Sequence, residues 1–435
     1  MIDARVYLWG RRIGAVSWVT ERNVGVFQYD PDFVPAGIGV SPLAMPARLL
    51  PYSFPALGEA FHGLPGLLAD ALPDDFGNRL IDFWLAEQGK RSEDFNPVDR
   101  LCYVGTRGVG ALEFEPAISR GERNGEVELI RLVDLASWIL DERRQLSGRL
   151  DEPEGLEDLL VVGTSAGGAR AKAVLAWNKA TNEFRSGQVN TGAGFEHWIL
   201  KFDGVAGSSN RELAAPQGYG RIEYAYHLMA LDAGIEMSEC RLHHEGGRSH
   251  FMTRRFDRDT KGRKVHMQSL AALRHFDYRK AGANAYEQAM ETIRRLGLGM
   301  AAVEEQFRRA VFNVAARNQD DHVKNIAFLM NRVGEWRLSP AYDVVYAYNP
   351  AGFWTGQHQM SLAGKRRGFE RSDLLRFAET SGLKAPLANR VIDETLAAVA
   401  DWPQFATEAG VGEGDARRIG RTHRLDLRSR KPWRR

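Results

Sequence analysis

Cysteine is scarce in this chain of 435 residues: its two, Cys102 and Cys240, lie far apart and show no paired spacing. That excludes a disulfide framework and a cysteine-built zinc site, and it fits a reducing compartment. An excess of charge of one sign is missing too, because 58 basic side chains face 56 acidic ones and leave a formal charge of +2. The chain as a whole therefore makes no electrostatic case for nucleic acid. No run is apolar enough to cross a bilayer, and residues 1–9 lack the basic segment and apolar core of a signal peptide. A cytoplasmic location without a membrane partner is expected. What is present is 44% apolar content, over a length that suits two or three domains or one bilobal enzyme with an appended module. Charge bias is confined to residues 417–435, which are dense in arginine. A solvated terminus is the expectation there, with contact to phosphate backbones or an acidic partner as the alternative.

Periodicity divides the chain. Apolar runs at 6–9 and 13–18 around Gly10-Arg11-Arg12 read as a hairpin, followed by a strand at 24–29 and an irregular crossing marked by Pro42, Pro46, Pro51 and Pro55. Helical spacing returns within 64–88, and the glycine-punctuated stretch 103–114 reads as strand closing an N-terminal module. A helix is expected over 127–145, then a glycine- and acid-rich linker at 147–157. Residues 159–162 read as a buried strand, 163–170 as a small-residue loop and 172–177 as a second strand. A Walker loop and a dinucleotide fold both need their glycines to open a helix, so neither is favoured. Helical periodicity dominates later, at 285–296, 303–316, 372–380 and 387–400. A β-rich first half before a helical second half is the layout of a bilobal kinase.

The chemistry concentrates in Asn318-Gln319-Asp320-Asp321-His322-Val323-Lys324-Asn325. An acidic residue followed five positions later by asparagine is the spacing of a kinase catalytic loop. There the carboxylate accepts or orients the proton of an attacking hydroxyl, and the carboxamide oxygen holds a magnesium ion that neutralises phosphate charge. Asp320 is the candidate base, though only geometry decides between it and Asp321. His322 and Lys324 are candidates for steadying the loop or the transferring phosphate. Upstream, His197-Trp198-Ile199-Leu200-Lys201-Phe202 sets one lysine among apolar neighbours, where a kinase keeps the lysine that contacts ATP phosphates. Glu223, on a helix expected over 221–233, is its candidate partner. Downstream, Asp343 stands where a second metal ligand is needed, although no glycine follows it. Residues 249–258 read as a strand leaving into a charged bend, which suits a hinge.

In these motifs the sequence resembles the HipA family of bacterial toxin kinases. The residues that carry the resemblance are Ser165-Ala166-Gly167-Gly168-Ala169-Arg170-Ala171-Lys172, His197-Trp198-Ile199-Leu200-Lys201, Arg255-Phe256-Asp257-Arg258, Asp320-Asp321-His322-Val323-Lys324-Asn325 and Ser339-Pro340-Ala341-Tyr342-Asp343. They follow the family order across nearly the whole chain. Arg254, where some members carry an acid, and residues 265–271, which lack the family's acidic pattern, mark a divergent branch. The resemblance implies an α+β bilobal atypical kinase, distantly like phosphoinositide kinases: a β-rich N-terminal subdomain over 1–115, a kinase N-lobe with a glycine-rich loop over 116–255, and a helical C-lobe over 256–435. It implies a serine/threonine protein kinase using ATP and Mg2+, with an aminoacyl-tRNA synthetase as a target and a small DNA-binding antitoxin as a partner. Asp320 becomes the catalytic base, Asn325 and Asp343 the magnesium ligands, and Lys201 the phosphate-binding lysine. Gly167, Gly168, Ala169, Arg170, Ala171 and Lys172 become the loop over the nucleotide, and Arg254, Arg255 and Phe256 the backbone contacts to adenine. Ser165 becomes an autophosphorylation site, where a new dianion would displace the nucleotide phosphates.

Three rivals remain open at this point. A small-molecule kinase would share the nucleotide site and differ in substrate. A metal-dependent nuclease could use Asp320, Asp321, His322 and Lys324, but it leaves the glycine loop without a role. A DNA-associated partner of an antitoxin or repressor could use the arginine-rich tail.

Overall fold

The computed structural model describes residues 3–118, 127–140, 159, 162–163, 170–187, 194–205 and 217–427. The first sheet is antiparallel in the order β3-β2-β1-β4, built from β1 (Asp3–Leu8), β2 (Arg11–Val19), β3 (Val24–Tyr29) and β4 (Leu112–Glu115). Along β1, Ala4, Val6 and Leu8 are buried while Asp3 and Arg5 are exposed, the period-two pattern of a sheet with one covered face. Trp9 and Gly10 both have positive φ, 53° and 81°, which suits the tight hairpin turn between β1 and β2. The expected strand over 103–114 is shorter, because its first residues finish the helix Pro97–Val104. Asn96 accepts from the backbone N–H groups of Val98 and Asp99, and Pro97 occupies the first turn. That cap is written in the sequence as Asn-Pro-Val-Asp, and it outweighs the glycines that follow.

The second sheet is also antiparallel, ordered β6-β5-β7-β9-β8, from β5 (Lys172–Asn178), β6 (Glu183–Ser186), β7 (Glu196–Lys201), β8 (Cys240–Glu245) and β9 (Arg248–Arg254). Of the strand expected at 159–162, only Leu159 and Val162 are among the described residues, and neither is in a strand. Leu159, Val162 and Gly163 are helical, with Leu159 and Val162 buried in the core beneath this sheet beside Phe76 and Leu80. A four-residue apolar run has no period that separates a buried strand from a buried helix turn. Gly163 permits the close approach, since a Cβ there would lie 2.5 Å from Leu80 Cδ1.

Between β7 and β8 the chain forms the helix Tyr219–Asp232. Its Ile222, Ala225, Tyr226 and Met229 bury into the core of the helical half, together with the helices Tyr286–Arg295, Met300–Ala315, Arg371–Thr380 and Ala385–Ala400. This helix therefore belongs by packing to the second half while its neighbours in sequence belong to the sheet. A small sheet of β10 (His266–Ser269), β12 (Ala327–Met330) and β13 (Trp336–Leu338) and a parallel pair of β11 (Asn284–Ala285) with β14 (Met360–Ser361) frame the loop at 316–325. The result is bilobal, β-rich first and helical second. Among the described residues no helix is long and apolar enough to cross a membrane.

Candidate active site

Lys201 closes β7 and sends its ammonium between two carboxylates. It lies 2.5 Å from Glu223 Oε1 and also donates to Asp343 Oδ1. Glu223 is buried on the sheet-facing side of its helix, so the one residue of that helix that is charged and enclosed is the one that meets the lysine. Arg170 completes the group, with Nη1 3.5 Å from Glu223 Oε2 and its guanidinium 3.7 Å from the Tyr219 ring centroid. Burial alone would discharge Lys201, but Asp343 and Glu223 outweigh it and hold the ammonium above its ordinary range. Burial likewise pushes Asp343 up, and the Lys201 charge and hydrogen bond, with Lys172 and Arg170 beyond, reverse that and hold its carboxyl below the ordinary carboxylate range. Asp343 has φ +52°, a left-handed backbone uncommon outside glycine and typical of constrained functional positions.

The loop at 318–325 presents its two aspartates in opposite directions. Asp321 is enclosed: Oδ2 accepts from Tyr286 Oη and contacts His358 Nδ1, both at 2.7 Å, and Oδ1 accepts from the Gln359 N–H at 2.7 Å. Its oxygens are used, so it does not serve as the base. Asp320 keeps about a quarter of its side chain exposed, and among the described residues only Oδ1 is engaged, by Trp354 Nε1 at 2.6 Å with His322 Nε2 3.7 Å away. Burial pushes the Asp320 carboxyl above its ordinary value; His322 and the Trp354 hydrogen bond oppose this, and the nearby Asp343 charge adds to it. His322 and Asn325 of the same loop line one cavity with Asp343.

Asn325 donates through Nδ2 to the Asp320 carbonyl at 2.9 Å, which turns its Oδ1 away from that contact. The donor set offered to a cation is then one carboxamide oxygen and the free oxygen of a carboxylate that stays ionised. Magnesium takes one or two hard protein oxygens and completes its shell with water and phosphate, so these residues fit it. Tyr342 donates to the Lys324 carbonyl at 2.6 Å and lies 5.5 Å from the Phe256 ring, tying the 318–325 loop, the Asp343 turn and the hinge together. Lys324 itself sits over the Tyr278 ring at 5.0 Å.

Other sequence-derived candidates fall elsewhere. Ser165, Gly167, Gly168 and Ala169 lie outside the described residues, as do the linker at 147–157 and residues 428–435. Ala171 is buried, and Lys172 opens β5 and meets Asp74 Oδ2 at 2.7 Å, with both side chains nearly inaccessible. Asp74 caps the helix Asp75–Glu87 by accepting from Gly77 N–H, so the lysine ties that helix to the sheet. Arg254 is partly exposed near Glu196 and Glu239. Arg255 turns inward to clasp Asp257 with two bonds of 2.8 and 2.7 Å, and Asp257 also accepts from Arg258 and from Gly110 N–H. That cluster fastens the segment before β4 to the segment after β9 and engages the Arg255 and Arg258 guanidinium groups.

Sequence reading missed Trp354, His358, Gln359 and Asp74. The first three follow the catalytic loop by 34 to 38 positions, and no local motif announces them. Asp74 carried a visible helix-cap signal, but its partnership with Lys172 spans 98 positions.

Comparison with known proteins adds a lineage to this geometry. Residues 4–115 match the model of the HipA N-terminal domain, and residues 164–402 that of the HipA-like C-terminal domain. Among solved structures, the HipA of the Shewanella oneidensis MR-1 toxin–antitoxin complex with HipB and operator DNA superposes with a TM-score of 0.68 at 17% identity, over 98% of this chain and 96% of that one. The Helicobacter pylori proinflammatory kinase CtkA aligns at 12% identity and a TM-score of 0.34, over 55% of this chain and 90% of its own. No curated protein matched. Since the C-terminal family model alone spans more than half the sequence and the N-terminal one covers the first sheet, the chain belongs to the HipA family.

Proposed function

We propose that this protein is an ATP-dependent serine/threonine protein kinase. The observation that supports the proposal is that Lys201 meets both Glu223 and Asp343, while Asp343 lines one cavity with Asn325, which is bonded to the Asp320 carbonyl. Lys201 holds a permanent positive charge there for nucleotide phosphates, kept in place by Glu223. Asp320, pinned through Oδ1 by Trp354, orients an incoming hydroxyl with Oδ2 and takes up its proton. Asn325 and Asp343 would hold Mg2+, which supplies charge neutralisation on the phosphates. Arg170, Ala171 and Lys172 follow the proposed glycine loop over the nucleotide, and Arg254 to Phe256 would meet adenine along the backbone. His322 and Lys324 flank the transferring phosphate.

The finer reading follows the family. The phosphorylated target is a protein, an aminoacyl-tRNA synthetase being the first to try, and Ser165 is the site of self-silencing phosphorylation. A small DNA-binding antitoxin is the proposed partner, in keeping with the HipB–operator DNA complex in which the Shewanella relative was solved. The domain limits 1–115, 116–255 and 256–435 are carried forward with it.

Transfer of labelled γ-phosphate from Mg-ATP by the wild-type protein and Asp320→Ala, with phosphosite mapping, tests the reading. Label on Ser165 or an added synthetase with the wild type alone supports it. ATP binding without transfer to any protein would favour a small-molecule acceptor, and absence of ATP binding would sink the kinase reading.

A further inference from the structure

The arginine-rich end of the chain is not uniformly solvated. Arg417, Arg418 and Arg421 are exposed, but Arg424 is buried to 8% exposure. It lies in the short segment after the helix Glu413–Gly420, where His423 packs on Tyr226 and Trp402 while Thr422 and Arg424 also reach the residues that lead into the 318–325 loop. The Thr422 carbonyl accepts from Arg317 Nε at 2.6 Å, and the Arg424 N–H donates to the Ala315 carbonyl at 2.8 Å. The Arg424 guanidinium donates to the Val314 carbonyl at 2.7 Å, to Gln319 Oε1 at 3.0 Å and to His358 Nε2 at 2.9 Å.

The last of these contacts has a chemical consequence. A guanidinium can only donate, so His358 Nε2 must be the unprotonated nitrogen. Nδ1 then carries the proton and donates it to Asp321 Oδ2 at 2.7 Å, which leaves the imidazole neutral and the carboxylate ionised. The opposite tautomer would set a donor against a donor at Arg424 and lone pairs against a carboxylate at Asp321. Asp321 is covalently next to Asp320, and the segment that carries His358 also holds Asp320 through Trp354, while Gln319 Nε2 donates to the Thr355 carbonyl at 2.7 Å. One loop thus grips both aspartates, and Arg424 grips that loop and the residue preceding Asp320.

We propose that Arg424 is a positioning residue for phosphoryl transfer: it selects the His358 tautomer that locks Asp321, and thereby aims the Asp320 carboxylate into the cleft. The C-terminal segment at 422–424 is then a working part of the catalytic loop's support. This rests on the kinase reading above. Arg424 touches neither nucleotide nor acceptor, so its loss slows the chemical step and leaves nucleotide binding intact.

The test uses the full chain and follows transfer of label from γ-labelled Mg-ATP to the protein itself, in wild type, Arg424→Met, Arg424→Lys and His358→Gln. Arg424→Met is expected to lower the rate at saturating ATP at least tenfold, with the half-saturating ATP concentration changed less than threefold. His358→Gln, whose amide can donate to Asp321 and accept from Arg424, is expected to retain most of the rate. In the proton NMR spectrum, the downfield resonance of the His358 Nδ1–H bonded to Asp321 should be present in wild type, shifted in Arg424→Lys and absent in His358→Gln. If Arg424→Met does not fold, Arg424→Lys carries the kinetic test, since it keeps the charge but not the forked contact. A rate within twofold of wild type in a folded Arg424 variant, or an unshifted resonance, overturns the proposal. Absence of transfer by the wild-type protein would instead sink the kinase reading on which it stands.

Discussion

Asp257 and Asp343 are both carboxylates on short loops, each gripped by basic side chains, and they differ in what their partners leave over. Asp257 receives Arg255 on both oxygens and Arg258 and Gly110 N–H on one of them, and its side chain is 4% exposed. Asp343 receives Lys201 on Oδ1 and remains 30% exposed beside a positive-φ backbone. Both are held below the ordinary carboxylate range against the push of burial, by Arg255 and Arg258 in one case and by Lys201 in the other. A saturated carboxylate has spent its capacity on packing, whereas one with spare valence and solvent access can still bind a cation. The same contrast separates Asp321 from Asp320 within one loop.

The strongest way to break this comparison is to neutralise each carboxylate in turn. Asp320→Asn should lower phosphate transfer by about 10³-fold, within the range expected of a general base, and leave ATP binding in place by titration calorimetry. Asp343→Asn should lower transfer by about 10²-fold and raise the Mg2+ concentration needed, with a smaller loss of stability than at Asp257, because Asp343 is 30% exposed and Lys201 keeps Glu223. Asp257→Asn should do the reverse. Breaking a buried ion pair costs about 3–5 kcal/mol, so urea unfolding should show the loss while activity per folded molecule stays near wild type. Equal kinetic effects at 257 and 343 would erase the distinction.

Acid sharpens it further. His227 and His266 are buried and His275 is half-buried, and desolvation lowers each to about 4. The unfolded chain, with histidines near 6.5, binds more protons than the folded one below that pH. The stability they contribute is complete above about 6.5 and is lost as pH falls toward 4, each histidine giving up at most about 1.4 kcal/mol for every step of one in pH. Asp257 and Asp343 have depressed pKa values, so their contribution is present above about 3.9 and is lost only below it. Calorimetry should therefore show Tm falling between pH 7 and 5 while both ion clusters persist. The smallest effect is expected at the exposed Arg417–Glu413 pair, where Arg417→Ala should change stability by less than about 0.5 kcal/mol.

Much of this was legible along the chain. The strand at 24–29 has the bounds that its apolar pattern suggested, and the helices Met300–Ala315 and Ala385–Ala400 follow their period closely. The exceptions are short or capped segments. Residues 159 and 162–163 are helical because four apolar residues carry no period, and residues 103–104 finish a helix because Asn96 caps its start.

By itself the sequence determined most of the elements and their order, which depend on propensity and periodicity over a few consecutive residues, and its short motifs carried the family resemblance and the spacing from Asp320 to Asn325. Only the tertiary structure decided which charged side chains are spent and which are free. Lys201 meets Asp343 across 142 positions, Lys172 meets Asp74 across 98, and Arg424 reaches His358 across 66. Whether a carboxylate is a base, a metal ligand or a strut depends on how many donors surround it once desolvated, and those donors come from segments that become neighbours only when the chain is folded.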